Sequence, residues 1–556
     1  MARTHIISWL IFVVFIHAMT ELKCQDSDFN AKNPLEITPI LSGNFGELRP
    51  NHFHAGLDLK TGGKTGLPVH SVAPGYVSRI KISPYGYGKA VYITHENGYT
   101  TLFGHLDQLN DSIKRYARRI QYEQESFAID VSPGKLDLIV KEDQIIAYSG
   151  NTGGSGGPHV HFEVRETDSE VPRNPLLFQF PLSDQKDPVI EAVAIVPLKP
   201  ESKVEGRSTT QRFRVSSGKI AGHAQIETSG EIGIEISGYD QQDGAANRNG
   251  IFLLECFIDG QKYGRFVADS IPFDQSRYMN ALIDYEHYYR TSQRFMRLYR
   301  LPGNSLENVW FKNNGYLNLI EGQHEVRIVA SDFSGNSTTL EFTISSNSTT
   351  TKTREDNSEL IPWNIDYFYE SDKYKIHIPR GALYDNVELS LNEGENTLEI
   401  LRRQIPIQKP FSIQIYSPEQ RKGELIGLMN SSGKVSRVLV TKRNGNWLSA
   451  ESKSFGTFGL TADVTPPVIR LGNFRNGMNV SNSSVTFDIQ DNLSGIEKFE
   501  VHVDGKWVLA EYEPKENLLF INPMEFTSKS EEQHLSLRVV DMAGNVATFE
   551  GTFYKR

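Results

Sequence analysis

Two histidines one residue apart, His159 and His161, follow a run of glycines in Gly150-Asn151-Thr152-Gly153-Gly154-Ser155-Gly156-Gly157-Pro158. The stretch His159-Val160-His161-Phe162-Glu163-Val164 reads as a strand, and side chains on a strand alternate between its faces. Both imidazoles therefore project to one side, and Val160 and Phe162 to the other. An isolated His-x-His is as often a structural pair as a ligand pair. About a hundred residues upstream, His54-Ala55-Gly56-Leu57-Asp58 adds an imidazole and a carboxylate four positions apart. Zinc takes nitrogen and oxygen ligands at roughly 2.0–2.2 Å, and a catalytic site uses three of them, leaving the fourth place for water. His54, Asp58 and His161 make such a set. A further imidazole, His105, lies between the two motifs in Phe103-Gly104-His105-Leu106.

The other histidines compete poorly. His52 has no carboxylate four residues on, and His70 and His95 sit in strand-like segments without partner motifs, as structural or exposed residues do. The glycine run is not a phosphate cradle, because no Lys-Ser/Thr follows it. Its glycines permit a tight path that delivers the His-x-His strand. They also leave a narrow trough for a peptide of small residues.

His-x-x-x-Asp, then an aromatic-x-His-Leu segment, then Gly-Asn-Thr-Gly and Gly-Pro-His-x-His-Phe-Glu, in that order, resemble the lysostaphin/LytM-type zinc metallopeptidases, which cut peptide bonds of bacterial peptidoglycan. Phe45-Gly46, Gly66-Leu67-Pro68-Val69 and Ala73-Pro74-Gly75-Tyr76-Val77 extend the resemblance, which covers about residues 35–180. It implies one zinc ion held by His54, Asp58 and His161, with His105 and His159 as the acid/base pair; which of the two takes the proton stays open. The implied activity is endopeptidase cleavage of peptidoglycan peptide cross-links through a metal-activated water. Two alternatives stand beside it: a catalytically silent wall-binding or hydrolase-activator protein, and an endopeptidase acting on a non-wall protein. Nitrogen/oxygen sites also admit other divalent ions.

These residues need a β framework, and the composition supplies one. With 556 residues, 38% hydrophobic and 23% charged, the chain has the length of several ordinary soluble domains. Its net charge of −10 argues against a nucleic-acid partner or a polybasic membrane surface. After Arg3, Ile6 to Met19 form an apolar run of signal-peptide length, shorter than the roughly 20 residues that span a bilayer. Export is expected, to the periplasm or cell envelope or beyond, with no transmembrane span in the mature chain. Cys24 and Cys256 are the sole cysteines, so no disulfide framework is expected. Apolar neighbours mark Cys256 as a buried thiol.

The expected fold is mainly β: a LytM-like antiparallel sheet with a helical insertion, followed by β-sandwich, immunoglobulin-like modules. Residues 1–25 read as signal peptide, 26–186 as the peptidase domain, 187–348 as a first sandwich, 349–359 as a linker, 360–465 as an accessory β domain and 466–556 as a second sandwich. Within 107–140, taken as an insertion, Ile113, Tyr116, Ala117 and Ile120 recur at helical spacing behind Asn110 or Asp111, predicting a helix over 111–125. Its Lys114, Arg115, Arg118 and Arg119 read as a solvated face or as a contact for an anionic wall polymer. Beyond Asp187 strands alone are expected. An internal repeat pairs the turn of Asp332-Phe333-Ser334-Gly335-Asn336 with that of Asp541-Met542-Ala543-Gly544-Asn545, each after an alternating strand. The β modules are expected to meet cell-envelope proteins or glycans.

Overall fold

A computed structural model describes residues 29–347, 359–480, 484–526 and 531–555. The expected signal segment, Cys24 and most of the 349–359 linker lie outside them. The fold is mainly β, and no helix among the described residues is long and apolar enough to cross a membrane.

The site rests on one antiparallel sheet. Its main strands are β1 (Leu41–Gly43), β2 (Leu57–Lys60), β3 (Gly75–Ile82), β4 (Lys89–Thr94), β5 (Tyr99–Leu106), β6 (Ile129–Val131) and β7 (His159–Glu166), and the spatial order is β1-β2-β7-β5-β4-β3-β6. β7 is central because one face is wholly apolar: Val160, Phe162 and Val164 are fully buried with Leu57, Leu59 and Phe103. A smaller sheet of Pro68–His70, Ile145–Tyr148 and Gln108–Leu109 carries the chain into the glycine run.

The helix predicted over 111–125 is α1 (Asp111–Gln124), capped by Asn110, whose side chain accepts from the Ile113 amide at 2.9 Å. Its segment does more than interrupt the sheet, since β6 returns to pair with β3. The basic face is partly engaged within the chain. Arg118 donates to Glu525 at 2.7 Å, Tyr122 bonds the same carboxylate, and the Tyr122 ring meets Trp507 edge-on at 5.1 Å. Arg119 pairs with Glu123 one turn on, so the face is neither wholly solvated nor wholly free.

Beyond the sheet, a five-stranded and a seven-stranded sheet share one apolar cluster that runs from Ile190 to Ile344 and takes in Phe45 and Phe53 from the first region. Further clusters lie within 361–458 and 474–553. The repeat seen in the sequence has a structural counterpart: hairpins Gly322–Ser331/Ser337–Asn347 and Glu532–Asp541/Val546–Lys555 close the two blocks, and the last strand of each takes a parallel partner. Cys256 is buried, and burial pushes its thiol up to about 12. The expectation of strands alone beyond Asp187 fails at Met279–Leu282 and Tyr285–Thr291. Asp284 caps the second of these helices, accepting from the His287 amide at 3.1 Å, and Tyr285 and Tyr288 pack on the core, so local capping and burial outweigh the β context.

Candidate metal centre

Strand register builds the site. β7 pairs with β2 so that His161 stands opposite Asp58, and with β5 so that His161 stands opposite Gly104. His54 comes from the turn that feeds β2. Gly56, inside that turn, lies against β7 so closely that a Cβ there would sit 2.3 Å from the Phe162 carbonyl oxygen. That approach brings His54 and Asp58 up to His161.

Three atoms converge. His54 Nε2 is 3.0 Å from His161 Nδ1 and 3.0 Å from Asp58 Oδ1, and His161 Nδ1 is 2.8 Å from Asp58 Oδ1. All three side chains are buried. Their outward atoms are already engaged: His54 Nδ1 is 2.8 Å from the Asn44 carbonyl oxygen, His161 Nε2 is 2.7 Å from Glu163 Oε1, and Asp58 Oδ2 pairs with Arg49. Those partners fix each imidazole with its proton outside and its lone pair inside. Two lone pairs and a carboxylate facing one point need a cation there, and this nitrogen/oxygen set fits zinc.

The electrostatics agree. Burial lowers His54 to about 4, keeping it neutral. Burial works against a charged His161 as well, but hydrogen bonds to Asp58 and Glu163 outweigh it and raise that histidine to about 9. Without a metal, the cluster holds a proton in its place. Metal binding would release it.

His159 and His105 flank the three convergent atoms. His159 Nε2 is 3.4 Å from Asp58 Oδ1 while its Nδ1 meets the Gly157 carbonyl oxygen at 2.8 Å. His105 Nδ1 meets the Thr152 carbonyl oxygen at 2.8 Å, and the two rings lie 4.7 Å apart. The pairing of β4 with β5 slips by one residue near His105, whose φ of 59° is in the left-handed region. Such a bulge re-aims a side chain, here onto the same face as His161. Burial and the neighbouring histidines lower His105 to about 3, leaving it neutral. The structure therefore brings together all five residues singled out from sequence. It leaves His52, His70 and His95 outside: His70 bonds the Asp143 carbonyl, and His95 is buried between Pro74 and Thr101.

Sequence reasoning missed the supporting shell. Glu163, fully buried, joins His161 to Arg165, whose Nε donates to Glu163 Oε2 at 2.7 Å, and to the Tyr87 hydroxyl. Burial alone would raise the Glu163 carboxyl, but Arg165 and His161 hold it down to about 2. Its signal was available, since Glu163 is two residues from His161 and so on the same face. For Arg49 and Tyr87 no sequence signal existed. The glycine loop is held from two sides: Gly154 donates to the Gly86 carbonyl at 2.8 Å, and Lys515 of the last β block donates to the carbonyl oxygens of Asn151 and Ser155.

The model of the family described as Peptidase family M23 matches residues 52–125, which include His54, Asp58 and His105. The chain carries a peptidase M23 domain. That M23 domain is 31% identical over 149 residues to an uncharacterized metalloprotease of Haemophilus influenzae, covering 27% of this chain and 24% of that protein. Over 138 residues it is 33% identical to the peptidoglycan DD-endopeptidase ShyB of Vibrio cholerae, covering 25% and 24%. Over 128 residues it is 31% identical to the DD-carboxypeptidase/endopeptidase Mpg of Neisseria meningitidis, covering 23% of each. The chain thus spans about a quarter of the length of the curated relatives it matches. Among solved structures, a zinc containing peptidase from Vibrio cholerae aligns at 27% identity and TM-score 0.21, over 27% of this chain and 40% of that one. The catalytic domain of lysostaphin from Staphylococcus simulans aligns at 24% identity and TM-score 0.18, over 24% and 87%. Residues 358–463, the accessory β block left without a family on sequence, match the Zu5-like domain.

Proposed function

We propose that this chain is an exported zinc metalloendopeptidase that hydrolyses the peptide cross-links of bacterial peptidoglycan. The observation that carries the reading is the convergence of His54 Nε2, Asp58 Oδ1 and His161 Nδ1 within 3.0 Å of one another, beside two further histidines. His54, Asp58 and His161 would hold the ion. The chemistry that zinc supplies at a three-ligand site is polarisation of the scissile carbonyl and a bound water acidified toward about pH 7.

The chain's own residues do the rest. His105 and His159 are imidazoles beside the ligands whose Nδ1 atoms are tied to the Thr152 and Gly157 carbonyls, leaving Nε2 of each to exchange a proton. One accepts the proton of the attacking water and the other donates to the developing oxyanion or the leaving amine. Gly156 and Gly157 face open space, so a Cβ at either would meet nothing within 4 Å. A backbone of small residues fits along that edge. The relatives named for peptidoglycan cleavage support the substrate class, and with it an envelope location. The β blocks would place the M23 domain against wall glycan or envelope proteins.

Metal analysis and digestion of purified peptidoglycan test this together. Wild type is expected to carry one zinc and release new amino termini. His161→Ala should lose the metal, whereas His159→Ala should keep it without activity. Zinc without wall cleavage would move the substrate to a non-wall protein or make the chain an activator; no zinc would end the enzyme reading.

A further inference from the structure

Where the sheet of the M23 domain meets the first β block, three carboxylates gather away from the zinc ligands. Oxygens of Asp184, Asp240 and Asp332 lie within 4.8 Å of one another. Asp184 lies on the connection into the block, Asp240 follows the strand Ile232–Tyr239, and Asp332 begins the turn of the closing hairpin. Among the described residues none of the three makes an ion pair. The nearby Lys186 donates instead to the Gln242 carbonyl at 3.3 Å.

A second observation points to a ligand. Asp240 is 6% exposed and Asn249, paired with it through two backbone bonds, is 4% exposed; Oδ1 of each is buried with no hydrogen-bond partner. Both line one cavity of about 20 Å³ together with Asp184 and Asp332. A volume of roughly 10–15 Å³ already admits a water-sized occupant. An orphaned carboxylate oxygen and an orphaned amide oxygen ask for a positive charge rather than a further acceptor. Burial, then the Asp332 charge, push Asp240 up to about 7, as expected of acids crowded without a counter-ion.

We propose that this cavity binds one calcium ion through Asp184, Asp240, Asp332 and the side-chain oxygen of Asn249. Hard oxygen donors without nitrogen or sulfur select calcium or magnesium over zinc. Calcium takes oxygens at about 2.3–2.6 Å in irregular geometry, so ligands on its opposite sides lie near the observed limit of separation. The ion would clamp the connection, the strand end and the hairpin turn to one another. It would also steady the zinc site: Asn44 bonds both ways with Gly250, next to Asn249, and its carbonyl oxygen meets His54 Nδ1.

The second repeat supplies a control. Asp463, Asp491 and Asp541 occupy the matching positions, and Asn545 bonds the Asp463 carbonyl as Asn336 bonds that of Asp184. The Ser494 amide donates to Asp463 at 3.0 Å as the Asp243 amide donates to Asp184 at 3.1 Å, but here the orphaned oxygen belongs to Asp491, which is only half-buried where Asp240 is buried.

The zinc-loaded full chain, purified without calcium or chelators, is titrated with calcium chloride by calorimetry and melted with and without millimolar calcium or magnesium. One calcium per chain is expected, with a rise in Tm that magnesium does not match. Asp240→Asn should lose both the binding and the rise, Asn249→Ala should reduce them, and Asp491→Asn should keep them. Asp240→Asn removes a buried, unpaired charge, so its calcium-free Tm should equal or exceed that of wild type, which separates lost binding from lost folding. A wild-type Tm unmoved by calcium, an equal response to magnesium, or full binding by Asp240→Asn would each overturn the proposal.

Discussion

Glu163 Oε1 lies 2.7 Å from His161 Nε2, two residues away along one strand face, so a single strand supplies both the proposed ligand and the acceptor that orients it. The carboxylate fixes the imidazole with its proton outward and makes the inner nitrogen a better donor to a metal. Replacing Glu163 with Gln keeps the shape and removes the charge. Zinc affinity is then expected to fall by about 10–100-fold, the usual cost of losing such a partner. Competition with a chromogenic chelator reads this directly; unchanged affinity would show that Glu163 serves packing alone.

His105→Ala and His159→Ala are expected to behave alike toward metal and unlike the ligand variants. Each should retain one zinc per chain, because neither supplies one of the three convergent atoms, and each should lose roughly 10²–10⁴-fold in kcat. Metal content beside single-turnover cleavage distinguishes the two classes. A His159→Ala protein that lost its zinc would make His159 a ligand.

Gly56→Ala tests the close approach of the His54–Asp58 turn to β7. The new methyl would lie 2.3 Å from the Phe162 carbonyl oxygen and 2.8 Å from Glu163 Cγ, both on a central strand that cannot yield. We expect a loss of stability of roughly 1–3 kcal/mol, as for other overpacked sites. Zinc content should fall with it, since His54 and Asp58 move together. A variant with unaltered Tm and full zinc would show that the strands separate freely.

Glu235, fully buried in the first β block, accepts from the Tyr299 hydroxyl at 2.9 Å, yet burial outweighs the nearby Arg297 and raises its carboxyl to about 7. The folded state therefore keeps a proton that the unfolded chain has lost above about pH 4.5. Its stabilising contribution is complete below that value and disappears as pH rises through about 7, at a cost of at most roughly 3 kcal/mol. Glu235→Gln should remove this share of the slope, leaving a flatter profile of Tm against pH. An unchanged slope would mean that Arg297 keeps the carboxylate charged throughout.

The sequence alone determined which residues could bind and move protons, because His-x-His on a strand has one geometry and His-x-x-x-Asp had few competitors. It also determined the strand-rich character, the capped helix, expected over 111–125 and found at Asp111–Gln124, and the paired Asp-x-x-Gly-Asn turns, all of which depend on local periodicity and turn chemistry. Tertiary structure decided the rest. That His161 faces Asp58 and Gly104 is a matter of register between strands distant in the chain, His161 and Asp58 being 103 residues apart, which no local pattern encodes. The re-aiming of His105 depends on a one-residue slip between two strands. Arg118 on Glu525 and Lys515 on the glycine loop are long-range charge contacts, fixed only when separate β blocks dock. The orphaned oxygens of Asp240 and Asn249 became visible for the same reason: burial, unlike residue type, is a property of the assembled fold.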